Sequence, residues 1–98
     1  MTVRIFTPSR THDLHDVGAV GVESVNGALM LLPRHIDCTV ALATGLMTLR
    51  TTDDKERHVG VDGGTLVKIG ERIMVSTPRV AVEEELGRLR ESLVERRR

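Results

Sequence analysis

NGALMLLPRHIDCTVALATG, residues 26–45, decides the fold, because a tight turn, an apolar run, a Pro-x-His corner and an alternating run follow one another in it. Asn26-Gly27 is the strongest short hairpin signal in the chain. A type I′ turn needs φ > 0 at both central positions, which Asn tolerates and Gly adopts without strain. Residues 29–32 leave that turn as a buried strand, and Pro33 ends it, having no N–H for the ladder. Ile36, Cys38, Val40 and Leu42 then place an apolar side chain at every second position, the period of a new strand with one buried face. Between the two runs the chain turns a corner from one sheet to another.

Outward from this stretch the period stays at two, with turn signals at roughly the 8–12 residue spacing of sandwiches and barrels. Strands are expected over residues 3–6, 17–25, 28–32, 36–43 and 46–50, with Val20 and Val22 sharing one face. A polar loop, 51–55, leads into 57–62, where Val59 and Val61 face inward. Asp62-Gly63-Gly64 reverses the chain into 66–69, and Gly70-Glu71 reverses it again into 73–77. The expected fold is mainly β: an antiparallel β-sandwich or flattened barrel of about 8–10 short strands. At Val82 the period changes, since Val82, Leu86, Leu89 and Leu93 draw one apolar stripe on a helix. Glu83, Glu84 and Glu85 suit its positive end and Arg96, Arg97 and Arg98 its negative end. The expected organisation is a β domain over 1–81 and a short amphipathic helix over 82–98, whose stripe docks on the sandwich or on a partner.

The chain has 98 residues, enough for one domain that buries roughly two-thirds of its unfolded surface. Phe6 is its only aromatic residue. Carbohydrate platforms, single-stranded nucleic-acid surfaces and polyproline grooves all need exposed aromatic faces, so these functions are disfavoured. Fourteen basic and fourteen acidic side chains cancel, which removes the global field that draws proteins onto nucleic acid or anionic membranes. A single cysteine, Cys38, forms no internal disulfide and sits on an apolar strand face, so a reducing cytosol is the natural compartment. The N-terminus lacks a continuous apolar signal region, and the longest uncharged run, 38–49, falls short of the ~20 residues of a membrane helix. The expectation is a soluble chain that meets a membrane only through a protein partner.

The search for chemistry begins with His12, His15, His35 and His58, which titrate near neutrality and bind metals. On an extended segment His12 and His15 point to opposite faces, and no second ligand pair has zinc spacing. Solvated loop histidines are the simpler account. His35 and Asp37, two apart, share a strand face and suit a hydrogen-bonded corner brace better than a catalytic dyad. Gly60, Gly63 and Gly64 fall at strand or turn positions, away from any helix start that would cradle phosphate. Asp53-Asp54 and the Glu83–Glu85 run suit a loop tip and a helix N-terminus. The sequence offers no catalytic site, no metal site and no cofactor.

In order, Gly27, Pro33-x-His35, Gly45, Gly63-Gly64 and a last strand ending in Ser76-Thr77 resemble the epsilon subunit of F-type ATP synthases, over about residues 3–82. Two departures stand out. Arg34 replaces the glycine usual in that family's Pro-Gly-His element, and one short helix replaces its C-terminal pair, so braking by an extending hairpin is not expected. The LLPRHID run and the short form are similar to divergent, often sodium-translocating N-ATPase types. The resemblance implies a non-catalytic rotor part of the central stalk, peripheral at the cytoplasmic face of a bacterial membrane. It implies gamma and the c-ring as partners, with alpha and beta in the head, and a role in coupling ATP synthesis or hydrolysis to proton or sodium transport. Asn26, Gly27 and Ala28 in the hairpin, and Arg34, His35 and Asp37 in the corner, match the region near the ring. Ala28 stands where many relatives carry an acidic residue. For Gly27 and Pro33, backbone geometry is an equally good account. The rival readings are a free-standing interaction sandwich and a small enzyme or metal-binding barrel using the four histidines.

Overall fold

Alternation becomes strand because β-branched and apolar residues at every second position all reach the same side of a pleated backbone. In the computed structural model, which describes residues 1–82, the strands are β1 (Thr2–Phe6), β2 (Thr11–Leu14), β3 (Val17–Ser24) and β4 (Gly27–Leu31). They continue with β5 (Cys38–Thr51), β6 (Glu56–Ile69), β7 (Arg72–Ser76) and β8 (Val80–Val82). Neighbours run in the order β2-β1-β7-β6-β5-β3-β4, with β8 added on β6. The path does not close on itself, so the flattened-barrel alternative is set aside. No helix occurs among the described residues. Val82, read above as the first apolar position of a helix, is the last residue of β8 and partners Val59. Leu86, Leu89 and Leu93 lie outside the described residues.

The framework is the β5–β6 hairpin, two strands of 14 residues paired from Cys38↔Lys68 to Arg50↔Glu56. Residues 65–69 of β6 take β7 on their other side, whereas 59–61 take β8. One hairpin therefore serves two sets of neighbours. Its inward positions, with those of β1, β3 and β7, form one cluster that includes Val3, Ile5, Val20, Met47, Leu49, Leu66 and Val75. Val20 with Val22, and Val59 with Val61, are buried as their spacing requires.

Five expectations need correction. Long strands replace short ones at Gly45 and at Gly63-Gly64. Gly63 and Gly64 bend β6 at φ 71° and 116° instead of reversing it, while Leu42↔Gly64 and Thr44↔Asp62 stay paired. The sheet is not wholly antiparallel, because β1 lies parallel to β7 from Thr2↔Arg72 to Phe6↔Ser76. The first hairpin turn lies one residue earlier than Asn26-Gly27: Ser24 and Gly27 are partners, so Val25 and Asn26 form its tip. Neither tip residue has positive φ, and Gly27 carries it instead, at 123°. Ser24 Oγ accepts the Asn26 N–H at 3.1 Å and donates to the Gly27 carbonyl at 2.8 Å, which selects a turn with Ser first and Gly fourth. Residues 29–32 are not a buried strand either. β4 ends the sheet path, nothing among the described residues covers its outer side, and only Leu31 of its residues is buried. Finally, β2 forms where the sequence suggested a loop, because Thr11, His12, Asp13 and Leu14 all find partners on β1.

The β1–β2 pair carries a pH-sensitive contact. Arg4 Nε donates to Asp13 Oδ1 at 2.7 Å and Nη2 reaches Oδ2 at 3.1 Å. Chiefly through that hydrogen bond, the Asp13 carboxyl is held below the usual carboxylate range. A depressed folded-state pKa stabilises at neutral pH, and the contribution is lost as pH falls through that pKa. Both groups are solvated, so the effect is small. Thermal melts should show Asp13→Asn slightly less stable than the native chain at neutral pH, with the difference lost as pH falls through the lowered Asp13 pKa.

Candidate functional site

The six residues singled out for partner contact fall in two groups at opposite ends of β4. Asn26, Gly27 and Ala28 lie at and just after the hairpin tip, all exposed. Arg34, His35 and Asp37 lie in the corner between β4 and β5, also exposed. By the rise of an antiparallel strand, Gly27 and Leu31 are about 14 Å apart. The structure therefore does not gather the six into one cluster. It joins them by an apolar edge: Leu29, Met30 and Leu32 are exposed along the way, and Ile36 in the corner is 86% exposed. Ala28, Leu29 and Met30 also line, with Leu46 of β5, a shallow groove of about 450 Å3. A run of exposed large apolar side chains is the feature that marks protein-binding surfaces.

The corner is braced, though not by the His35–Asp37 pair that spacing suggested. Asp37 Oδ1 instead accepts the Gly70 N–H at 2.7 Å, and His35 Nδ1 faces the Leu32 N–H at 3.4 Å. The larger brace is Lys68, whose Nζ donates to the carbonyls of His35 at 2.7 Å and Gly70 at 2.8 Å. Sequence reading passed over Lys68. Its signal was phase: it sits two residues after Leu66, on the inward face of β6, where alternation demands a buried side chain.

The histidines do not converge on a metal. His12 lies in β2, His15 follows it exposed, His35 is in the corner and His58 lies in β6, where its Nδ1 is 3.3 Å from Thr48 Oγ1. His12 and His58 do line one groove of about 370 Å3 together with Asp13 and Arg57. Among the described residues no group of three or more His, Cys, Asp or Glu is arranged to hold a metal ion.

A family model described as the ATP synthase delta/epsilon chain β-sandwich domain matches residues 1–82, all eight strands. The chain belongs to that family. It is 27% identical over 95 residues to ATP synthase epsilon chain 2 of Cereibacter sphaeroides, covering 95% of this chain and 65% of that one. It thus spans about two-thirds of that relative's length. A chain of the Euglena gracilis mitochondrial ATP synthase, solved with OSCP, F1 and the c-ring, superposes with a TM-score of 0.75 at 18% identity, over 97% of this chain and 62% of that one. A chain from the central stalk and c-ring of the Tetrahymena thermophila mitochondrial enzyme gives a TM-score of 0.72 at 13% identity, over 88% and 69%. At such identities the superpositions show the sandwich fold. The match spans the hairpin at Gly27, the Pro33-x-His35 corner and the Gly63-Gly64 bend.

Proposed function

We propose that the chain is a non-catalytic rotor subunit of epsilon type, joining gamma to the c-ring in the central stalk of an F-type ATP synthase. The match of the family model across residues 1–82 carries this reading. Two further observations support it. The relative from Cereibacter sphaeroides is an ATP synthase epsilon chain, and the chain from Tetrahymena thermophila comes from a central stalk and c-ring assembly. The exposed apolar edge of β4 and the corner supply a surface on which partners could be held. In this role the sandwich passes torque through its surfaces, with alpha and beta in the head of the complex. It sits peripherally at the cytoplasmic face of a bacterial membrane, held there by the complex. The corner with Arg34, and the hairpin tip at Asn26, Gly27 and Ala28, meet the polar loops of the ring. The spacing of Leu86, Leu89 and Leu93 suits a docking face for gamma or for the sandwich. LLPRHID supports the sodium-translocating type.

The test is purification of the tagged full chain from its own cells in mild detergent, followed by mass spectrometry. Gamma, alpha, beta and c-ring proteins are expected to come with it. Recovery of the chain alone would replace the rotor reading with a free-standing sandwich. In the same complex, with Cys38 replaced by alanine so that one thiol remains, Arg34→Cys carrying a thiol-linked photo-crosslinker such as benzophenone maleimide should crosslink to c-subunit loops on illumination.

A further inference from the structure

Lys68 has 0% of its surface exposed. Methionine or leucine would fill a similar volume there without taking a charge out of water, and apolar replacements of buried ionic groups are often neutral or stabilising. What lysine adds is three donors on one atom. All three are directed at backbone: the carbonyls of His35 at 2.7 Å, Gly70 at 2.8 Å and, more distantly, Pro33 at 3.5 Å. Two of these carbonyls belong to the corner and one to the β6–β7 turn. Asp37 closes the arrangement from the corner side by accepting the Gly70 N–H at 2.7 Å, and the His35 N–H donates to the Leu32 carbonyl at 3.1 Å. Segments more than thirty residues apart in sequence are thus held by one buried side chain and one carboxylate.

We infer that Lys68 is the positioning residue of the partner-facing corner: it fixes residues 33–37 against the β6–β7 turn, so that Arg34 and Ile36 meet the c-ring in one preset geometry. This rests on the rotor reading above. The consequence is physical. A loop already held in its bound conformation loses less conformational freedom on association, and a rotor contact must also resist shear as the parts turn together. Arg34 is an exposed cation and Ile36 is 86% exposed, so the complementary ring surface sets a carboxylate beside an apolar side chain.

The test is Lys68→Met in the full chain. Amide exchange of His35 and Gly70 is expected to rise about tenfold or more, while Met47, Leu49 and Val75 stay within about threefold of the native chain. In assembled complexes carrying Arg34→Cys, adding Lys68→Met should lower the crosslink to the ring while gamma still co-purifies. Unchanged exchange at His35 and Gly70 overturns the inference. So does a uniform acceleration in a folded variant, which would make Lys68 a support of the whole sandwich. Should the variant not fold, the native chain decides. There the Lys68 ammonium protons should exchange with water at least about tenfold more slowly than those of exposed Lys55, and equal rates overturn the inference. If Arg34→Cys alone gives no ring crosslink, the ring contact falls while the amide-exchange result still stands by itself.

Discussion

Gly64→Ala is expected to destabilise the chain by at least about 3 kcal/mol, lowering its melting temperature by roughly 15 °C. Two independent effects act at this position. The first is backbone conformation, since φ is 116°, a value that a residue with a Cβ adopts only under strain. The second is space: a Cβ at Gly64 would lie 2.0 Å from the Ser76 carbonyl oxygen and 3.0 Å from both the Ser76 carbonyl carbon and Thr77 Cα. The obstacle is main chain, so no side-chain rotation relieves it. Nor is that main chain free to retreat, because the Thr77 N–H donates to the Phe6 carbonyl at 3.0 Å and Thr77 Oγ1 accepts the Asp62 N–H at 3.2 Å. Displacing Ser76 would also pull on its partners Phe6 in β1 and Thr65 in β6. Gly27→Ala is the control. Gly27 shares the positive φ, at 123°, yet nothing lies within 4 Å of where its Cβ would be, so only the conformational cost of about 1–3 kcal/mol applies. Thermal or urea unfolding of the two variants checks the order. Equal stability for Gly64→Ala and the native chain would contradict the close approach of β6 to β7.

The same glycine shows where the sequence stopped being legible. Gly63-Gly64 announces an unusual backbone but does not say whether the chain reverses or only bends, since both need φ > 0. The difference lies in what pairs alongside, and β5 continues past the bend from Leu42↔Gly64 to Thr44↔Asp62. Strand faces were readable wherever alternation met burial, as at Val20, Val22, Val59 and Val61, because period two is a local property. Position in the sheet is not local. Residues 29–32 are apolar enough for a buried strand, but β4 lies at the end of the path, and the β1–β7 parallel pair joins segments from opposite ends of the described chain. β2 carries no apolar alternation to announce it, only partners on β1. For the candidate surface, the order of Gly27, Pro33 and His35 pointed to β4 and the corner after it, whereas Lys68 reads as a surface residue until its phase with Leu66 is taken into account.

Leu49→Asp should prevent folding, while Met30→Asp should leave the fold intact. Leu49 has 0% exposure in β5, opposite Val20 of β3, and belongs to the central cluster. A carboxylate there has no partner and loses its water, at several kcal/mol, a loss comparable with the ~5–15 kcal/mol that holds a domain of this size together. Met30 belongs to an apolar run that period and composition alone would bury just as readily. In the structure it is 55% exposed on the edge strand, so a charge at this position stays hydrated and shifts stability by about 0.5 kcal/mol or less. Circular dichroism melts separate the two cases: no cooperative transition for Leu49→Asp, and a midpoint within about 4 °C of the native chain for Met30→Asp. An unfolded Met30→Asp would restore β4 to the core. It would also remove the exposed apolar edge from the proposed contact surface, leaving the corner around Arg34 and Ile36 as its remaining part.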